Sequence, residues 1–233
     1  MNQQIPTYSL RDNKGMPIDI KLLNYLLPIT SNKPGFFAEV GANDGVTQSN
    51  TMLLQQIFGW TGLLVEPCMT NFKKCKASRA HPKNIIVHGA LVASEDTKTI
   101  QGDFEAQEQG VDWGSLMNSV GGERRHQSKL VDVPAFTLRS LVKQYNITSI
   151  DFMSLDVEGY ELEVMKGIDL AADWAPKVFL IELYPKEYDE MIALLSPWYN
   201  LIGNFTNYNK NDDPNWGGHN DFLFVRKNLN LKH

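Results

Sequence analysis

The chain has 233 residues, 42% of them hydrophobic and 21% charged, an ordinary balance for a folded globular protein. Its formal net charge of -5 argues against a broad nucleic-acid surface, which needs many phosphate-neutralising cations. Two cysteines, Cys68 and Cys75, are too few for a disulfide framework or a zinc site. No apolar run reaches the roughly 18–20 residues of a membrane helix, so no membrane span is expected. Met1-Asn2-Gln3-Gln4-Ile5-Pro6 has neither the basic region nor the apolar core of an export signal, and the cytoplasm is the expected compartment.

Apolar residues at helical spacing over 19–27 predict a lead-in helix that stops at Pro28. Residues 36–45, Phe-Phe-Ala-Glu-Val-Gly-Ala-Asn-Asp-Gly, read as a short apolar strand running through a carboxylate into a glycine-punctuated turn. A helical run follows from about Gln48 to Phe58. Residues 62–67 form a buried-type strand stopped by Pro67, then come a helix over 69–79 and a third strand over 84–92. Residues 97–129 are the least regular part, and are expected to hold a hairpin or a substrate-facing insertion. Regular alternation resumes with a helix at 138–145, a strand at 150–156, a helix at 160–168, a strand at 177–183 and a helix at 186–195. Two strands, 198–203 and 221–226, follow with only a loop between them.

Strand-helix alternation predicts a mainly parallel sheet with helices on both faces. The terminal pair without a helix predicts an antiparallel hairpin at its edge, and hence a mixed seven-stranded α/β sheet. No linker or internal repeat divides the chain. One domain over 1–233 is expected, with 1–34 as a helical lead-in.

A strand, a glycine-rich turn and a helix together make a nucleotide-cofactor cradle. From Gly41, the second and third glycine positions of a dinucleotide fingerprint hold Asn43 and Val46, and the loop has no phosphate-binding lysine. Its charges are Glu39 and Asp44, which suit a cationic ligand such as S-adenosylmethionine (SAM). Gly41 and Gly45 let the backbone approach closely, and Asn43 suits a left-handed turn position. Glu66, 25 residues after Gly41 at the end of the next strand, has the position to accept hydrogen bonds from ribose hydroxyls.

Ligands of open α/β sheets bind beyond the carboxyl ends of the strands. The polar residues there are Glu39, Glu66, Asp156, Glu158 and Glu182, with His219, Asn220 and Asp221 at the start of the last strand. So many carboxylates repel one another unless a cation sits among them. Asp156 and Glu158 are two apart and would share one side of an extended segment. As a pair they could deprotonate a hydroxyl, hold a divalent metal or position a sugar diol, and either could instead cap the next helix. His219, in a glycine-rich loop, is a further candidate base. The basic cluster around Arg124 is either a solvated loop or a grip on an anionic substrate.

Three blocks carry a family resemblance: Glu39-Val-Gly-Ala-Asn-Asp-Gly45, Gly59-Trp-Thr-Gly-Leu-Leu-Val-Glu-Pro67, and Asp151-Phe-Met-Ser-Leu-Asp-Val-Glu-Gly-Tyr-Glu-Leu-Glu-Val-Met-Lys-Gly167. They resemble the FkbM family of SAM-dependent methyltransferases, over about residues 36–226. Many members carry lysine where Ser154 stands, and the segment around Ser115 looks like the family's serine-rich stretch. The resemblance implies a class I (Rossmann-like) methyltransferase fold and methyl transfer to the hydroxyl of a sugar, glycan or secondary metabolite. It puts Glu39 and Gly41 at the methionine end of the cofactor, Glu66 at its ribose and the backbone around Ala90 near its adenine. Asp156 and Glu158 would face the methyl group and the acceptor. A nucleic-acid methyltransferase and a non-catalytic SAM-binding module remain as alternatives. The sequence leaves the oligomeric state open.

Overall fold

A computed structural model describes residues 5–104, 130–211 and 218–229. Helix α1 (Ile18–Ile29) precedes strand β1 (Phe36–Val40), and it continues through Pro28 instead of stopping there. The Thr30 amide and hydroxyl close on the carbonyls of Leu26 and Leu27, which holds the last turn despite the missing proline N–H. Next come α2 (Met52–Phe58), β2 (Thr61–Glu66), α3 (Met69–Ser78) and β3 (Ile85–His88).

The expected third strand is broken at Gly89, where a side chain would meet the Pro134 carbonyl at 2.5 Å. Its second piece, β4 (Ala90–Leu91), leaves the main sheet to pair in parallel with β6 (Val131–Phe136). Strand β5 (Thr99–Gly102) pairs antiparallel with the other edge of β6. The sequence pattern conceals β6 because Pro134 interrupts it, and a proline argues against a strand except at edges.

The second half alternates regularly: α4 (Leu138–Gln144), β7 (Phe152–Leu155), α5 (Glu161–Lys166), β8 (Val178–Leu183), α6 (Pro185–Leu195), β9 (Tyr199–Asn204) and β10 (Asn220–Arg226). The start of α4 is fixed by the Thr137 hydroxyl, which accepts from the Ser140 amide at 3.0 Å. The seven-stranded sheet has the order β3-β2-β1-β7-β8-β10-β9. Strand β10 runs antiparallel to both neighbours, and the other pairings are parallel. The predicted mixed sheet with its terminal hairpin is therefore present.

Alternate strand residues feed two separate cores, one on each face. Val40, Leu63, Met153 and Ile181 pack with Leu141, Met165 and Met191 of α4, α5 and α6. Phe37, Leu64, Phe152, Leu180 and Leu223 pack with Ile18, Leu22 and Leu26 of α1 and with Leu54 of α2. A sheet covered on both faces exposes polar groups to a ligand only along its ends. Because β10 is reversed, its first residues lie beside the carboxyl ends of β7 and β8. Among the described residues, no helix is long and apolar enough to cross a membrane.

Candidate active site

The turn after β1 is built from backbone contacts. The amides of Gly41 and Ala42 both donate to the Val65 carbonyl at 3.1 Å, and the Asp156 amide donates to Val40 at 3.1 Å. A Cβ on Gly41, at φ 82°, would lie 1.7 Å from the Asp156 carbonyl oxygen. Gly41 is thus required by the contact between two strand ends. Asn43 adopts φ 49°, the left-handed position expected of it. Asp44 closes the turn by accepting from the amides of Val46 and Thr47 and from the Thr47 hydroxyl. Burial works against its ionised form, but these hydrogen bonds hold its carboxyl below the usual carboxylate range.

Glu66, 3% exposed at the end of β2, accepts from the Asn43 amide and the Cys68 amide, each at 2.8 Å, one on each oxygen. It therefore ties the glycine turn to the second strand. Ala90 is buried in β4, two residues beyond the partner of Glu66 on β3, His88.

Glu39 lies one residue inside the end of β1 and is 4% exposed. Its carboxylate accepts from the Ser49 hydroxyl, the Asn50 amide, the Thr51 hydroxyl and Arg79 Nη1, the last at 3.1 Å. Arg79, fully buried, also donates to the Gly45 carbonyl, Ser49, Thr51 and Gln55. This network explains why α2 begins at Met52, four residues later than the sequence predicts. Ser49, Asn50 and Thr51 turn inward to satisfy Glu39. Asn50 also donates to Ser154, the residue level with Glu39 on β7. Arg79 reads in sequence as no more than a helix end, and the structure makes it the cation of the cradle.

A second group of carboxylates gathers at the ends of β7, β8 and β10. Leu155 pairs with Ile181, so Asp156 comes level with Glu182, and Glu182 pairs directly with Asp221. One row across three neighbouring strands therefore carries three acids on one face. Glu161, buried in the first turn of α5, joins them while accepting from the amides of Val157 and Gly159. Oxygens of Asp156, Glu161 and Glu182 all lie within 4.8 Å of one another. Burial, then the charge of Asp221, pushes Asp156 up to about 7. Burial, with the charge of Asp156, pushes Glu161 up to about 8. Burial pushes Asp221 up to about 6. Glu182 is raised well above the usual range by burial and by its acidic neighbours, Asp156 first.

The expected pairing of Asp156 with Glu158 needs correction. Glu158 sits at φ 60° and Gly159 at φ 97°, so the segment is not extended and the alternation fails. The Glu158 carboxylate accepts from the Tyr184 hydroxyl at 3.4 Å, and Glu161 and Glu182 take the places beside Asp156. His219 does reach the row, with Nε2 3.6 Å from Glu182 Oε1 and its ring against Tyr184. Asn220 faces the opposite way from its neighbour and ties the loop down, accepting from the Thr206 hydroxyl and the Tyr208 amide. Ser115 and Arg124 lie outside the described residues.

The family model described as the methyltransferase FkbM domain matches residues 39–211. The chain belongs to this family of SAM-dependent methyltransferases. Its strand order, with one reversed strand inserted next to the edge, is that of the class I methyltransferases. No curated protein matches the chain. Among solved structures, it is similar to a fibrillarin pre-rRNA processing protein of Methanococcus jannaschii, at 12% identity and a TM-score of 0.48, over 97% of this chain and 85% of that one. It is also similar to magnesium protoporphyrin IX methyltransferase from Synechocystis PCC 6803, at 11% identity and 0.48, over 89% and 77%. A third is a predicted O-methyltransferase of Agrobacterium tumefaciens, at 9% identity and 0.42, over 88% and 80%. The family match and the strand order, not these distant likenesses, make the assignment. The chemistry present is compatible with SAM, which carries ribose hydroxyls and a positive charge: Glu66 is a buried carboxylate at the end of β2, and the row across β7, β8 and β10 is acidic.

Proposed function

We propose that this methyltransferase acts on a hydroxyl group of a small-molecule or sugar acceptor, held against the Asp156–Glu182–Asp221 row. The observation that carries this reading is the row itself, which lies beside the Gly41 turn and offers acceptor oxygens to a polyhydroxylated molecule. SAM, when bound, supplies a methyl group already activated on a sulfonium. What remains for the chain is alignment and removal of one proton. Alignment of this kind is worth roughly 7–11 kcal/mol, and a positioned base a further factor of about 10²–10⁴.

Glu66 would hold the ribose hydroxyls, and the backbone around Ala90 would border the adenine. Gly41, Asn43, Asp44 and Gly45 would shape the turn around the methionine end. Glu39 is engaged by Arg79, and we assign it to holding that turn in place, a positioning role. Two groups have the chemistry to take the acceptor proton: Asp156, whose carboxyl is raised to about 7, and His219, whose ring lies against Tyr184. Glu158 would contact the acceptor through the rim it shares with Tyr184. Ser115 and Arg124 would act from the substrate-side insertion over 97–129, with 1–233 as one catalytic unit. Cys68 and Cys75, buried and not joined in a disulfide, agree with a cytoplasmic setting.

The test is calorimetry with SAM, followed by methyl-transfer assays on a panel of sugars and hydroxylated metabolites. Wild-type protein should bind SAM, and Glu66→Gln should weaken binding by about 10–100-fold, the worth of hydrogen bonds to a charged acceptor. On the acceptor so found, Asp156→Asn and His219→Gln should each lower kcat. Full turnover in both variants would remove the proposed base.

A further inference from the structure

We infer that Asp156, Glu161 and Glu182 form a binding site for one hard divalent cation, such as calcium, manganese or magnesium. The catalytic use of such an ion rests on the methyl-transfer reading above, but the site stands on geometry of its own. Oxygen ligands at about 2.0–2.6 Å from a cation are at most about 4–5 Å apart. The three carboxylates meet that condition, with oxygens inside a 4.8 Å span. They come from three elements: the loop after β7, the start of α5 and the end of β8. Strand register and a helix turn converge there, and an all-oxygen, all-anionic set selects a hard ion over softer metals.

A second observation points to a ligand at the cluster. Glu182 is 8% exposed, and its Oε2 is buried without a hydrogen-bond partner. Buried carboxylate oxygens in that state are uncommon and costly. No lysine or arginine among the described residues forms an ion pair with Asp156, Glu161, Glu182 or Asp221, whereas buried Glu39 has Arg79. The other oxygen of Glu182 lies 3.6 Å from His219 Nε2. Three acids so gathered are relieved either by protons or by a positive charge, and a bound cation supplies the latter.

Such an ion would coordinate an acceptor hydroxyl and lower its pKa. Asp156 would then be a ligand, leaving His219 to take the proton. Of the two bases considered above, the cation would select the histidine.

The experiment uses Mn2+ alone as the probe, with the full chain stripped by chelation, then desalted. Electron paramagnetic resonance of free Mn2+ should show its signal lost to about one site per chain below about 1 mM. Glu182→Gln and Asp156→Asn should each weaken binding at least tenfold. Thermal melts guard against misfolding: metal-free Glu182→Gln should melt at or above metal-free wild type, and Mn2+ should raise the melting temperature of wild type alone. A folded wild type that binds no Mn2+, or binding undiminished in both variants, overturns the site. SAM calorimetry on the same samples separates the two readings. SAM binding without Mn2+ binding removes the metal site and leaves the methyltransferase reading intact. Mn2+ binding without SAM binding does the reverse.

Discussion

Two buried acidic sites lie at adjacent strand ends of this sheet, and they are balanced in opposite ways. Glu39, at the end of β1, is closed from within: Arg79, two hydroxyls and an amide meet its oxygens. The Asp156–Glu161–Glu182 group, one strand away, has backbone amides on Glu161 and His219 3.6 Å from Glu182, but no ion pair to arginine or lysine among the described residues. The first is therefore a fixed part of the scaffold, able to hold the glycine turn whether or not a ligand is present. The second is stable only with protons or a cation added from outside. Like charges with no built-in counterion are expected where a protein receives a positive ligand and unexpected where it merely supports itself.

Breaking the balanced site should have the largest effect. Arg79→Ala leaves Glu39 ionised and buried without its partner, and should lower stability by about 3–5 kcal/mol in urea denaturation. A loss below about 1 kcal/mol would show that Glu39 is not held by this ion pair.

The unbalanced site should respond to pH in the sense opposite to an ordinary paired carboxylate. Its acids have folded-state pKa values above those of the unfolded chain, with Asp221 near 6, Asp156 near 7 and Glu161 near 8. Between about pH 4 and pH 8 the folded state therefore holds more protons than the unfolded state. Their contribution is fully present below the unfolded values and is lost as pH rises through the folded ones. In chelator, the urea midpoint should fall between pH 5 and pH 8.5, and excess Mn2+ should flatten that fall. A midpoint that rises over this range would contradict the assignment of these groups.

The smallest effect should come from thinning the row. Asp221 stands directly across β8 from Glu182, a like-charge pair that costs about 0.2–1 kcal/mol. Asp221→Asn should recover about that much at pH 8.5 in chelator and nothing at pH 5. The same substitution chemistry at Glu39 should destabilise at both pH values. Equal responses at the two sites would erase the distinction between them.

Much of this was legible in the residues because it depends on local chemistry. The alternation of strands and helices, the glycine turn after β1 and the left-handed Asn43 follow from patterns spanning a few residues. So does the position of Glu66 and Asp156 at strand ends, where an open sheet binds ligands. The sequence also implied that carboxylates would crowd one rim, and which family carries such blocks.

Which acids meet, and what balances them, was decided only in three dimensions. Residue spacing suggested Asp156 with Glu158, but spacing predicts a shared side only while the chain stays extended, and Glu158 turns left-handed. Glu182 and Asp221 reach Asp156 through the register of strands that lie far apart in sequence, and no local pattern encodes register between them. Arg79 arrives at Glu39 from 40 positions away, by the packing of a helix end against the turn. By itself, the sequence determined the main sheet with its terminal hairpin and the strand ends where chemistry would sit. Tertiary structure decided which of two similar carboxylate sites is closed and which is open to a ligand, because charge balance in a buried site depends on neighbours that only folding brings together.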